Sequence, residues 1–292
     1  MPYYLKNFGS TESEHKKKRE EYIANARAGW TEVTRYIKSI DPYRHPITIH
    51  PTNYGHDMID DISLIDIDML QTGHSSHNSL ANTLDMLKIS LTHTPKMPVL
   101  VGEVCYEGIM EASRQEIQRF LFWTCILSGA AGHTYGANGI WQVNTNEKPF
   151  GPSPHGMSWG DISWQEAYKL PGSNQLGIGK KLLERYPWWQ FEPHQEWAEP
   201  HGSEENRFRP YVAGIPEKVR IVYIPSNIGE GLSLVKMVEP NIRYQAFYFD
   251  PKNGREYNLG IVVSDKDGNW RPPKPPIFQD WVLVLENIGN EV

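Results

Sequence analysis

The chain has 292 residues, 39% of them hydrophobic and 22% charged, with a net charge of −6 at neutral pH. That is the composition of an ordinary globular protein, long enough for one large domain or two smaller ones. It holds no run of roughly 18 apolar residues, so no membrane-spanning helix is expected, and no sustained basic stretch of the kind that tracks nucleic acid.

From about His15 to Ser39 the pattern is helical. Tyr22, Ile23, Ala26, Trp30, Val33, Ile37 and Ile40 recur at three- and four-residue spacing and make one apolar stripe, expected to face the core. Lys16, Lys17, Lys18 and Arg19 lie on this helix among Glu12, Glu14, Glu20 and Glu21, which reads as a solvated face. Residues 1–20 contain no apolar core of the signal-peptide kind. Asp41-Pro42 ends the helix, because the residue before proline avoids the α region. Ile47 to His50 reads as a short strand with a polar tip, and Asp60 to Ile65 as a short helix or turn. Ile67 to Gln71 reads as the next strand, followed by Thr72-Gly-His74. Asn78 to Leu91 is helical, with Leu80, Leu84, Leu87 and Leu91 on one side.

Val99-Leu-Val101 is a fully apolar run, the signature of a strand buried on both faces in a parallel sheet. It ends in Gly102-Glu103, and a second carboxylate, Glu107, follows Tyr106. A helix over Ser113 to Leu127 and a tight, small-residue strand over Gly129 to Gly136 complete an alternation of strand and helix. That alternation implies a parallel sheet with right-handed crossovers. In a β/α barrel the strand tips His50, Gln71 and His74, Glu103, and His133 with Tyr135 would converge on one face. Residues 137–162 form a long aromatic loop carrying Trp141, Trp159 and Asp161. Helix resumes over Trp164 to Leu170 and Ser173 to Tyr186.

After Pro187-Trp-Trp-Gln the texture changes. Val219–Ile224, Tyr244–Phe249, Glu256–Val263 and Asp280–Glu286 read as short strands separated by turn signals such as Asp250-Pro-Lys-Asn-Gly. Evenly spaced strands of this kind suggest a small β-sandwich. The expected architecture is α/β plus all-β: residues 1–189 as about four βα units of a TIM-type barrel, and residues 190–292 as the sandwich. Cys105 and Cys125 form neither a CxxC nor a zinc set and are expected to be free, buried thiols. No cofactor is expected.

Four segments resemble the apiosidase-like glycoside hydrolases. They are Asp41-Pro-Tyr-Arg-His-Pro-Ile-Thr-Ile-His-Pro51, Leu70-Gln-Thr-Gly-His74, Pro98-Val-Leu-Val-Gly-Glu-Val-Cys-Tyr-Glu107 and Ser128-Gly-Ala-Ala-Gly-His-Thr-Tyr-Gly-Ala-Asn-Gly-Ile-Trp141. In the tail, Phe249-Asp-Pro-Lys-Asn-Gly254 and Asp280-Trp-Val-Leu-Val-Leu-Glu286 resemble the small β domain, named for collagen binding, that often follows in that family. The resemblance implies an exo-acting glycosidase on oligo- or polysaccharide, apiose-containing glycans among its substrates, in a periplasmic or secreted setting. It implies Glu103 as the nucleophile at the end of strand seven. The acid/base residue would come from strand four, ahead of the segment that matches residue 1. On that reading the chain holds strands five to eight, is inactive or nearly so, and exposes barrel edges that promote self-association.

Glycoside hydrolysis commonly uses two carboxyl groups, so Glu107 and Asp161 are candidate replacements for the missing acid. His50, Gln71, His74 and His133 are candidates for bonding sugar hydroxyls. Tyr106 and Tyr135 are candidates for holding Glu103, and Trp141 and Trp159 for stacking on sugar rings. Two other classes compete. His50, His56, His74, His77 and His133 could be ligands of a metal-dependent amidohydrolase-like barrel, although no His-x-His or HExxH spacing occurs. Alternatively the aromatics belong to a non-catalytic carbohydrate- or matrix-binding module.

Overall fold

A computed structural model describes residues 12–147, 160–226 and 231–289. Helix α1 spans Glu12–Ile40, with Glu12 and Glu14 in its first turn and Lys38 in its last, as the helix dipole favours. Past its end, Asp41 accepts from the amides of Tyr43 and His45 at 2.9 and 2.8 Å. The helix forms as expected, but its apolar stripe does not face a core. Ile23, Trp30, Val33, Ile37 and Ile40 are 41–57% exposed, whereas Thr31 and Thr34 are buried. The reason is what the helix meets. Two 3₁₀ turns, Gly55–Met58 and Ile62–Leu64, pack against it. The chain around them presents backbone groups that need polar partners. Arg27 donates to the Ile59 carbonyl at 3.0 Å, Lys38 donates to that of Ser63 at 3.2 Å, and Thr31 accepts from the Asp60 amide at 2.9 Å.

A three-stranded parallel sheet, in the order β1–β2–β3, follows. It is built from β1 (Asp68–Gly73), α2 (Ser79–Thr92), β2 (Val99–Val104), α3 (Gln115–Ile126) and β3 (Gly132–His133). Leu70 pairs with Val101, and a register shift then sets Gln71 opposite Glu103. Such an irregularity re-aims side chains at a strand end. The segment Ile47–His50, expected as a strand, is extended but makes no ladder. Polar side chains take part of the ladder's place: Asp66 accepts from the Ile47 amide and the Thr48 hydroxyl donates to the Ile67 carbonyl, both at 2.9 Å. The strand expected over Gly129 to Gly136 shortens to two residues.

Two helices, α4 (Trp164–Ala167) and α5 (Pro171–Leu183), lead to the second half. There β4 (Glu192–Pro193), β5 (Ala198–Glu199), β6 (Tyr211–Ile215), β7 (Val219–Ile224), β8 (Leu234–Val235), β9 (Tyr244–Phe249), β10 (Glu256–Ile261) and β11 (Trp281–Asn287) follow. Six of them form one antiparallel sheet, ordered β10–β9–β11–β7–β6–β4, and β5 pairs separately with β8. The central strands are apolar at nearly every position because both faces of the sheet are covered. Val222, Tyr248, Leu283 and Leu285 pack with Trp197, Val235 and Val238. Ile221, Tyr223, Phe247 and Val284 join the same core as Leu70, Val101 and α3.

Helix α3 lies at the junction. Every residue from Ile117 to Ile126 is buried. The Trp123 ring stacks on Tyr223, with centroids 6.2 Å apart. Its one cation, Arg119, meets Asp280 beside β11 in a two-pronged bond, Nε to Oδ2 at 2.7 Å and Nη2 to Oδ1 at 2.8 Å. Gln175 of α5 accepts from Nη1 at 2.5 Å, and the Tyr223 hydroxyl donates to Asp280 at 3.3 Å. Removing one partner strands a buried charge, so Arg119→Ala is expected to lower unfolding free energy by about 3–5 kcal/mol. Urea denaturation measures this. The paired replacement Arg119→Met with Asp280→Leu should cost clearly less than either single change.

Candidate active site

Glu103 stands near the carboxyl end of β2, its side chain 12% exposed. Three donors surround it. Gln71 of β1 donates its amide to Oε1 at 2.8 Å. His74, in the loop that follows β1, brings Nε2 to the same oxygen at 2.9 Å. His50 brings Nε2 to Oε2 at 2.9 Å. Burial alone would raise the pKa of this carboxyl. The bonds from His50, His74 and Gln71 more than offset that and hold it well below the usual 4.5. In return, the bond to Glu103 raises His50 above its usual 6.5. Tyr106 packs its ring on His74 at 4.5 Å. Gly136 allows this arrangement, because a Cβ there would collide with the Tyr106 ring.

Glu107 has a different environment. It is 1% exposed, and burial pushes its carboxyl upward. The Tyr135 hydroxyl donates to it at 2.6 Å, and the Gly172 amide, in the first turn of α5, donates at 2.9 Å. A helix start is a favourable place for a carboxylate. Residue 172 must be glycine here, since a Cβ would strike the Glu107 carboxyl. Glu107 thus ties the end of β2 to the segment after β3 and to α5.

The expected site residues therefore separate. His50, Gln71 and His74 gather on Glu103, and Tyr106 packs on His74. Tyr135 bonds Glu107 instead. His133 lies edge-on to Phe122 at 5.8 Å, and burial lowers its pKa to about 4. The cleft beside it, about 300 Å³, is lined by Phe122, Leu176, Lys180 and Trp188 and includes none of the groups on Glu103. Trp141 and Asp161 are exposed, and Trp159 lies outside the described residues. Among the histidines proposed for a metal, His56 bonds Asp68 at the opposite end of β1, at 2.7 Å, and His77 packs against Phe120 and Phe208. Among the described residues no group of three or more His, Cys, Asp or Glu is placed to hold a metal ion. Sequence reading missed Gly172 and the buried Gln118. The second is one of two adjacent polar residues, with Arg119, between Ile117 and Phe120, and nothing in the sequence separates it from its neighbour.

Two solved structures share this architecture. One, described as a glycoside hydrolase, is 21% identical with a TM-score of 0.74, over 90% of this chain and 62% of its own. The other, a glycoside hydrolase family 5 protein from Bacteroides vulgatus ATCC 8482, is 21% identical with a TM-score of 0.73, over 88% and 59%. The chain thus spans about three fifths of the length of these structures. A search of curated proteins gave no match. The fold is a mixed α/β one, with a parallel and an antiparallel sheet, similar to the folds of these glycoside hydrolases. The family model described as apiosidase-like, catalytic domain, matches residues 9–190, and the chain belongs to that apiosidase-like family.

Two predictions follow from the geometry. A depressed carboxyl stabilises the fold above its unfolded value, near 4.5, and loses that contribution as pH falls through its folded value. A raised imidazole contributes fully below 6.5 and loses its share as pH rises through its folded value. The stability difference between the native chain and Glu103→Gln should therefore be largest between about pH 4.5 and 6.5 and shrink on both sides. A pH-independent difference in urea midpoints would contradict the charged-pair description. Gly172→Ala should destabilise by about 1–3 kcal/mol, the usual cost of overpacking, read by thermal unfolding.

Proposed function

We propose that this chain carries the nucleophile of a retaining glycoside hydrolase, with Glu103 as the attacking carboxylate and an oligo- or polysaccharide as substrate. The observation that carries the reading is the set of three donors, His50, Gln71 and His74, on Glu103 near the carboxyl end of a parallel strand. Family membership supports an exo-acting enzyme on complex glycans, apiose-containing ones among them. The proposal extends to the fold: residues 1–189 as the carboxyl-terminal portion of a TIM-type β/α barrel, about four βα units, and residues 190–292 as a β-sandwich that braces it. The parallel strands, their helical crossovers and the likeness to solved glycoside hydrolases support this.

In such a reaction the Glu103 carboxylate attacks the anomeric carbon while the bond to the leaving oxygen breaks and that oxygen takes a proton from a general acid. Water then displaces Glu103 from the glycosyl ester. His50, Gln71 and His74 keep the carboxylate weakly basic, which favours it as the leaving group of the second step. His50, with more than half of its side chain exposed, and Gln71 are also the groups proposed to reach sugar hydroxyls. Glu107 is engaged by Tyr135 and Gly172, and Asp161 is exposed, so the general acid is proposed to come from outside the described residues.

This division of labour is testable without the acid. An aryl glycoside whose phenol is strongly acidic, such as a 2,4-dinitrophenyl glycoside, departs without protonation. Incubating the chain with a panel of such pentosides and hexosides should add one glycosyl mass to Glu103. The adduct should be absent in Glu103→Gln. Turnover that survives Glu103→Gln, or a panel that leaves Glu103 unmodified, would overturn the assignment.

A further inference from the structure

The connection between β2 and α3 holds three non-glycine residues in the left-handed region: Cys105 at φ 36°, Met110 at φ 49° and Ser113 at φ 52°. Side chains disfavour that region, and such residues persist only where surrounding contacts over-determine them. One residue grips two of the three. Gln118 of α3, 1% exposed, donates its side-chain amide to the Cys105 carbonyl at 2.6 Å and to the Ser113 carbonyl at 3.1 Å.

The Cys105 carbonyl and the Tyr106 N–H belong to one planar peptide unit. Fixing the oxygen fixes the direction of the N–H. That N–H donates to Nδ1 of His74 at 3.3 Å. With Nδ1 accepting, the proton of the neutral ring resides on Nε2, the atom 2.9 Å from Oε1 of Glu103. The other tautomer would turn a lone pair toward the carboxylate and remove one of its three donors.

We propose that Gln118 is a positioning residue of the Glu103 site, acting through the Cys105–Tyr106 peptide to keep His74 in the tautomer that donates to Glu103. It rests on the reading of Glu103 as the site's central carboxylate, yet its test needs no turnover. Long-range nitrogen–proton NMR on the full chain with isotope-labelled histidine reports which ring nitrogen carries the proton. His74→Gln identifies the resonance by its loss. In the native chain at mildly alkaline pH, His74 should show a single Nε2–H pattern. In Gln118→Met, close in length but without an N–H, the signals should move toward an average of both tautomers. A lowered melting temperature with the Nε2–H pattern intact would make Gln118 merely structural and overturn the proposal. If Gln118→Met fails to fold, the native chain still decides. A proton on Nδ1 overturns the proposal, and Nε2–H together with a Tyr106 amide protected from exchange upholds it. Failure to label Glu103 with a glycosyl group would remove its catalytic role while leaving the tautomer result standing.

Discussion

From Ile117 onward helix α3 has no side facing water, and the two halves of the molecule are joined by that constraint. A helix buried from Ile117 to Ile126 needs apolar cover all round and a counter-charge for any cation it carries. The parallel sheet covers one side and the antiparallel sheet another, and Asp280 answers Arg119. The core that contains Val101 of β2 therefore also contains Val284 of β11. Residues before and after 190 differ in texture along the chain, but in space they share one packed interior.

Two carboxyl groups four residues apart show how environment divides chemically identical side chains. Glu103 collects three donors, and its pKa is held down. Glu107 is buried with fewer donors, and burial pushes its pKa upward. The register shift after Leu70 brings Gln71 beside Glu103, and the α5 start brings Gly172 beside Glu107. One group is the proposed nucleophile and the other ties three segments together, although in sequence they look like a pair.

Much of this was legible in the residues. Val219–Ile224 and Tyr244–Phe249 match the observed strands residue for residue, because each is a largely apolar run bounded by prolines, Pro216 and Pro225 for the first and Pro240 and Pro251 for the second. Strand β6 escaped notice, since Tyr211–Ile215 is short and carries Ala and Gly. The period of α1 revealed the helix but not its packing side, which depends on what the turns at 55–64 present to it. Glu103 stood out by its place at a strand end, and its donors followed from the neighbouring tips. The roles of Glu107 and Tyr135 did not, because they depend on α5, some 65 positions further along. Gln118 is one glutamine on a helix, and only its burial beneath a left-handed Cys105 distinguishes it.

The uncovered stripe of α1 also affects how stability varies with temperature. Apolar surface released to water is the main source of the heat-capacity increase on unfolding, about 12–15 cal/mol/K per residue for a typical globular protein. Ile23, Trp30, Val33, Ile37 and Ile40 are already substantially hydrated in the folded chain. They add correspondingly less to that increase, so the stability curve of these residues as folded here is flatter than chain length alone would give.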